Sequence, residues 1–382
     1  MKNELANNTP LLRAVVSGGG TGGHIYPALA IAAALRERLG TRVLYMGGKV
    51  GLHGGLAKEE ELAMAAGWEY RGVCAAGLSR RSLRIIVDIM KNLKGVAEAK
   101  EILRRFDPQV VIGTGGYAMA PTLQAAATLK IPTMLHEQNA IPGWANRYLS
   151  SKVDMICLSM PAAQAYFHTK AQIITSGLPV RPQITKSSRE EAYKFFTIAP
   201  SVQSKFTLLV TGGSQGALQL NEAISSCYEE LLDAGCRIIH LTGEAHYEKC
   251  YAAAKKLKQE NLYVLPYLND MQYALALADL ALARSGASFL AEAAMAGLPT
   301  ILVPYPYAAN NHQTENALTF TKAQAALLIP DKQLNGASVA ENVLKLKDDA
   351  ATRQRMSKAA YTLAKPDALD NIIKAVIDLY NS

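Results

Sequence analysis

No stretch of this 382-residue chain approaches the ~20 consecutive apolar residues that a bilayer-spanning helix needs, which excludes an integral helical membrane protein. The polar opening MKNELANNTPLLR lacks the apolar core of a signal peptide. Cysteine is sparse. Cys74, Cys157, Cys227, Cys236 and Cys250 form no CxxC pair and stand at no zinc-ligand spacing from histidine, so free thiols in a reducing compartment are expected. No Lys/Arg stripe is interleaved with aromatics, themselves only 7% of the chain, which sets nucleic acid aside as a partner. Asp-x-Asp does not occur and carboxylates are thin around the glycine-rich segments, so the residues ask for no metal or other cofactor.

What is present suits a two-domain α/β protein. The length fits two domains of roughly 100–200 residues, and 49% hydrophobic residues can fill both cores. The formal net charge of +8 falls entirely within residues 1–180, either as an ordinary basic surface that aids solubility or because that half meets anionic lipid or a diphosphate.

Three strand–glycine-loop units recur. Residues 13–17 (RAVVS) form a short β-branched strand that runs into GGGTGGH at 18–24, and a helix with Pro27 in its first turn and Gly40 beyond its end follows. Residues 108–117 (PQVVIGTGGY) and 206–217 (FTLLVTGGSQGA) repeat the pattern. Glycines let backbone N–H groups approach an anion, and a helix N-terminus behind them adds a favourable dipole. Gly18, Gly20 and Gly23 formally match GxGxxG. However, the next strand, 42–46, ends in Gly-Gly-Lys, with no acid where a dinucleotide's ribose needs one. The repetition predicts two facing Rossmann-like domains with a cleft between them: residues 1–178, a linker at 179–205, residues 206–365, and a terminal helix at 366–382.

The most informative stretch is 284–316, RSGASFLAEAAMAGLPTILVPYPYAANNHQTEN. Ser285 is placed to cap a helix that Gly297 and Pro299 end, and TILV at 300–303 reads as a buried parallel strand. Glu292 is the lone charge of that helix, and Gln313 sits in a polar loop past the strand. A carboxylate accepts two sugar hydroxyl protons and an amide both donates and accepts, so the stretch suits a sugar nucleotide. HEQN at 136–139, after a strand at 132–135, places four polar residues at another strand end. In residues 80–94, RRSLRIIVDIMKNLK, helical spacing gathers Leu83, Ile86, Val87, Met90 and Leu93 on one face, while Ile85 and Ile89 widen the arc. Two readings stand: a core helix, or shallow docking on an anionic membrane.

Taken in order from residue 18 to 317, GGGTGGHIYP (18–27), the loop at 113–117, HEQN, GGSQGA (212–217) and the 284–316 stretch resemble the signature of the MurG family of bacterial glycosyltransferases. The resemblance implies a GT-B fold and inverting transfer of N-acetylglucosamine from UDP-N-acetylglucosamine to membrane-borne lipid I, at the cytoplasmic face of the inner membrane as a peripheral protein. It implies that Glu292 binds the ribose, Gln313 and Asn139 the sugar, and Ser214, Gln215, Gly216 and Arg181 the diphosphate. Met271 would border the base, and Thr21, Gly22 and Gly23 would stand with the donor. Gly20, His24, Gly115, Gly116 and Tyr117 would face the acceptor. Leu178 replaces the family's Asn before Pro-Val-Arg, and His312 replaces the first Gln of a pair. His24 is the candidate general base, since imidazole titrates near neutrality; the other reading has it bridging the loop or binding the acceptor diphosphate. Still open are a related transferase with another lipid acceptor, a UDP-sugar epimerase, an NAD-dependent oxidoreductase and a non-catalytic sugar-nucleotide module.

Overall fold

The computed structural model describes residues 12–50, 57–77, 84–257 and 259–381. The chain divides into two compact units, Met1–Pro179 with Asp367–Ser382, and Val180–Pro366.

In the first unit the order is β1 (Arg13–Ser17), α1 (Gly22–Leu39), β2 (Arg42–Gly48), α2 (Lys58–Ala65), β3 (Glu69–Val73), α3 (Arg84–Phe106), β4 (Val110–Gly113), α4 (Ala120–Thr128), β5 (Thr133–Glu137), α5 (Trp144–Leu149), β6 (Met155–Leu158) and β7 (Gln172–Thr175). The strands are short and apolar because both faces are covered, and all seven run parallel in the order β3-β2-β1-β4-β5-β6-β7. Side chains alternate along them: Val16 and Ile112 enter one core with Ala28 and Ile31 of α1, while Val15 and Val111 enter the other with Leu103 of α3 and Leu123 of α4. Strand order therefore reverses between β1 and β4, whose following helices lie on opposite faces. Open α/β sheets bind ligands at such a switch point, outside the strands' carboxyl ends. The loops that meet there are 18–21 and 114–116.

The second unit repeats the plan. It contains α6 (Arg189–Phe195), β8 (Phe206–Thr211), α7 (Leu218–Ser225), α8 (Tyr228–Asp233), β9 (Cys236–Leu241), α9 (Tyr247–Leu257), β10 (Leu262–Leu265), α10 (Met271–Leu277), β11 (Leu280–Ala283), α11 (Ala287–Met295), β12 (Thr300–Leu302), α12 (His312–Lys322), β13 (Ala326–Leu328), α13 (Gly336–Asp348) and α14 (Ala350–Leu363). Its six parallel strands run β10-β9-β8-β11-β12-β13. The switch lies between β8 and β11, where loop 212–217 and the turn 284–286 emerge. Finally α15 (Ala368–Tyr380) packs Ile372, Val376 and Leu379 into the α1 face of the first unit.

Several expectations shift. The polar connection expected at 179–205 is folded into the second unit: α6 carries a Ser188/Glu191 capping box, and Ile184, Ala192, Phe196 and Ile198 join its core. Helix α1 begins inside the glycine loop, at Gly22, so His24 lies in its first turn and Pro27 in its second. Strand β5 extends through Glu137, which buries His136 and Glu137 in the sheet instead of leaving them past its end. Gly286, not Ser285, precedes α11 as its cap; the Ser285 hydroxyl donates to the Gln313 carbonyl at 2.7 Å. Helix α3 exposes Ile86, Val87, Ile89, Met90 and Leu93, so the stripe read as a core contact faces outward. Residues 80–83 of that stretch lie outside the described residues.

Candidate active site

In the first unit, the β1 loop is held open by partners that the motif does not contain. Glu59, buried at the start of α2, accepts from the Gly20 and Gly48 amides at 3.2 Å each, and Tyr45 donates to the Gly18 carbonyl at 2.7 Å. The β4 loop closes from the other side. The Gly19 amide donates to the Gly115 carbonyl at 3.4 Å, and Thr114 Oγ1 donates to the His24 carbonyl at 2.8 Å. Gly115 has a φ of +111°, and a Cβ there would lie 2.5 Å from His24 Nδ1, so only glycine lets this loop seat the imidazole. Tyr117 packs on Gly20. Thr21 and Gly23 are exposed at the helix start, and Gly22 is buried. The structure thus gathers Gly20, His24, Gly115, Gly116 and Tyr117 at one switch point.

HEQN divides its labour. Buried Glu137 accepts from the Asn139 amide and side chain, the Gly143 amide and Asn146 Nδ2 at 2.6–3.2 Å. Burial raises its pKa and these donors oppose the rise. Glu137 therefore fixes the 138–146 loop and orients Asn139. Gln138 Oε1 lies 3.1 Å from His24 Nδ1.

In the second unit, the 212–217 loop turns through Gly213 and Gly216, both at positive φ, with Ser214 and Gln215 exposed at its tip ahead of α7. Arg284 is buried against the Val303 and Pro304 carbonyls and forms a 2.5 Å ion pair with Asp331, tying the β11, β12 and β13 ends together. Asn316 donates to the Ser285 carbonyl at 3.1 Å. Around this frame, Glu292 projects from α11 with 16% of its side chain exposed. Arg181 donates to Glu292 Oε1 from Nη2 at 2.9 Å and Nε at 3.3 Å, and Nη1 donates to the Asn269 carbonyl at 2.7 Å. Burial raises the Glu292 pKa and Arg181 counters it. Met271 opens α10 two residues beyond Asn269 with its side chain in the core, so only its backbone is offered outward. Gln313 Oε1 accepts from the Tyr305 amide at 2.9 Å, which orients its NH2. Asn310 and Asn311 take left-handed φ of 53° and 57° to start α12, a conformation asparagine tolerates.

The sequence reading missed Glu59, Thr114 and Asp331. Glu59 and Asp331 belong to no glycine motif, Thr114 lies unremarked between the glycines of the second one, and the contacts that give them their roles are made across the fold, not to chain neighbours. An open groove of about 630 Å³ between Gln219, Glu222, Tyr307, Asp331 and Asn335 contains none of the expected donor residues. Among the described residues, no three His, Cys, Asp or Glu side chains gather as a metal site, and no helix is long and apolar enough to cross a membrane.

Comparison with known proteins agrees with this layout. Residues 14–158 match the glycosyltransferase family 28 N-terminal domain and residues 207–372 its C-terminal domain. A relative from Desulfitobacterium hafniense is 41% identical over 96% of this chain and 99% of its own. One from Desulforamulus reducens is 39% identical over 96% and 98%. Both are named UDP-N-acetylglucosamine–N-acetylmuramyl-(pentapeptide) pyrophosphoryl-undecaprenol N-acetylglucosamine transferase. The crystal structure of Acinetobacter baumannii MurG superposes with a TM-score of 0.75 at 26% identity, covering 97% of this chain and all of that one. A putative UDP-N-acetylglucosamine 2-epimerase from Listeria monocytogenes shares the fold alone, at a TM-score of 0.67 and 14% identity over 96% of each chain. With both family domains matched in order and relatives near 40% identity along almost the whole length, the chain belongs to glycosyltransferase family 28, in its MurG branch.

Proposed function

We propose that this enzyme transfers N-acetylglucosamine, with inversion, from UDP-N-acetylglucosamine to the muramyl hydroxyl of undecaprenyl-diphosphate-linked lipid I, giving lipid II for peptidoglycan. The observation that carries the reading is the 39–41% identity to transferases of that name over nearly their full length.

The chemistry requires a base for the attacking hydroxyl, charge acceptance at the departing diphosphate and alignment of two sugars. His24 supplies the base. It lies in the first turn of α1, seated on Gly115. The acceptor falls to Gly20, Gly115, Gly116 and Tyr117 around His24; the Gly19 and Gly20 amides are already bonded, so its charge is met by the α1 N-terminus. On the second unit, Glu292 takes the ribose hydroxyls and Gln313 the sugar hydroxyls. The Met271 backbone borders the base. The Ser214–Gln215–Gly216 tip and the N–H groups of Arg181 not already bonded meet the charge on the leaving UDP. These assignments call on no metal ion. Docking to an anionic inner-membrane surface is assigned to α3, whose exposed apolar stripe lies beside exposed Lys91 and Lys94.

The test is release of UDP from UDP-N-acetylglucosamine with and without a lipid I analogue. Acceptor-dependent release is expected. Folded protein that binds UDP yet releases none with the acceptor, or that epimerises the donor alone, would remove the proposal.

A further inference from the structure

His24, Thr114 and Gln138 belong to segments following β1, β4 and β5, which are neighbours in the sheet. A line of buried polar groups joins them, and the direction of each hydrogen bond can be worked out in turn. The Gly177 carbonyl can only accept, so His136 Nε2, at 2.9 Å, carries a proton and donates. Burial pushes the His136 pKa down to about 4, so the ring is neutral and its Nδ1 is a bare acceptor. Gln138 Nε2 lies 3.0 Å from that nitrogen, 2.6 Å from the Thr114 carbonyl oxygen and 3.1 Å from the His136 carbonyl oxygen. Three acceptors around one atom require the NH2 end of the amide, because a carbonyl oxygen there would face only lone pairs. The other end, Oε1, is therefore the atom 3.1 Å from His24 Nδ1, and it can only accept. Neutral His24 must then hold its proton on Nδ1 and its basic lone pair on Nε2.

We infer that Gln138 is a positioning residue: through Oε1 it selects the Nδ1–H tautomer of His24, so that Nε2 is the atom that takes the acceptor hydroxyl proton. His136 acts one step further back, turning the amide by accepting from its NH2. The role of Nε2 rests on the proposal that His24 is the base; the tautomer does not. An amide in this place, unlike a carboxylate, fixes the ring without adding a charge that favours the imidazolium; as with any general base, the proton taken up during transfer passes to solvent or product between turnovers.

The experiment uses the full chain with 15N-labelled histidine. Two-bond 15N–1H spectra are recorded above the imidazole titration, and the His24 signals are identified by their loss in His24→Asn. A pyridine-type Nε2 and a pyrrole-type Nδ1 are expected at His24; the reverse pattern, or an averaged one, overturns the inference in the unaltered protein. In Gln138→Met the tautomer preference should be lost, with kcat falling about tenfold or more and the KM for UDP-N-acetylglucosamine within about twofold. An unchanged tautomer or an unchanged kcat in that variant overturns it as well. Normal turnover in His24→Asn would instead remove the base assignment, and with it the role given to Nε2, while the wild-type spectrum still reports on the Gln138 contact.

Discussion

Among the described residues, each unit buries one histidine whose proton is assigned by its neighbours. In the second unit, Asn221 Nδ2 donates to the Thr242 carbonyl at 2.8 Å, so its Oδ1 accepts from His240 Nε2 at 3.0 Å, and the Tyr228 hydroxyl closes the ring's other side at Nδ1. Burial lowers the His240 pKa to about 3. The unfolded chain takes up this proton below about pH 6.5 and the folded chain does not. The His240 contribution to stability is thus complete above that pH and is lost as pH falls toward 3, by about 3 kcal/mol at pH 4.5. Urea unfolding of wild type and His240→Gln at pH 7 and 4.5 checks this. The variant should be weaker at neutrality yet lose less on acidification, and equal losses would contradict a neutral buried ring. Glu292 poses the opposite case, a carboxylate kept useful by a cation. Removing it in Glu292→Ala should weaken UDP-N-acetylglucosamine binding by about tenfold to a hundredfold, measured calorimetrically, since hydrogen bonds to charged groups are worth about 1.5–3 kcal/mol. Undiminished binding would dismiss the ribose assignment. At this scale the sequence shows which residue types stand near strand ends, and Glu292 and His24 stood out for that reason. It does not show hydrogen-bond direction, which is why Gln138 read as one polar residue of four.

Helix α3 shows where periodicity stops informing. Spacing marks an apolar face but says nothing about what covers it. Coverage starts only midway along the helix. Asn92 pairs with both the amide and the carbonyl of Ala76 at 3.0 Å, and Gly95 comes so near that a Cβ would meet the Cys74 carbonyl oxygen at 1.8 Å. From there Ala99 and Leu103 enter the core. Among the described residues, the turns before Gly95 are left with Ile86, Val87, Ile89, Met90 and Leu93 between 45% and 65% exposed. Replacing Ile86, Met90 and Leu93 together by serine removes apolar area worth about 1.5–3 kcal/mol per side chain when fully buried, so binding to vesicles containing anionic lipid should fall about tenfold or more. The circular dichroism spectrum and thermal transition should stay as in wild type, since nothing in the core is touched. Flotation equal to wild type would take the membrane role from this helix. Some strands, by contrast, were legible nearly residue for residue. RAVVS at 13–17 is β1 and TILV at 300–303 contains β12, because a strand buried on both faces is a continuous apolar run bounded by turn residues.

Three repeated glycine loops implied two Rossmann-like units, and each sheet sets its loops at a reversal of strand order. The chain's return to its starting unit leaves no such mark. An amphipathic helix at the end of a sequence declares a face and not an address, and contacts between residues separated by more than 300 positions have no local signal. Here α15 sends Ile372, Ile373, Ala375, Val376 and Leu379 against α1 and the first sheet. Asn371 donates to the Ser176 carbonyl at 3.3 Å, and Arg38 pairs with Asp370 at the rim. The exposed ion pair contributes little, so the apolar contacts decide. Ile372 is fully buried, and Ile372→Ala should cost about 2–5 kcal/mol. Ending the chain after Pro366 should cost more, lowering the first unit's unfolding transition while the second unit, whose core α15 does not enter, still binds UDP. Denaturant titration followed at Trp68 and Trp144, both in the first unit, alongside calorimetry with UDP, separates the two effects. If truncation abolished UDP binding and left the tryptophan transition in place, α15 would belong energetically to the second unit and not to the first.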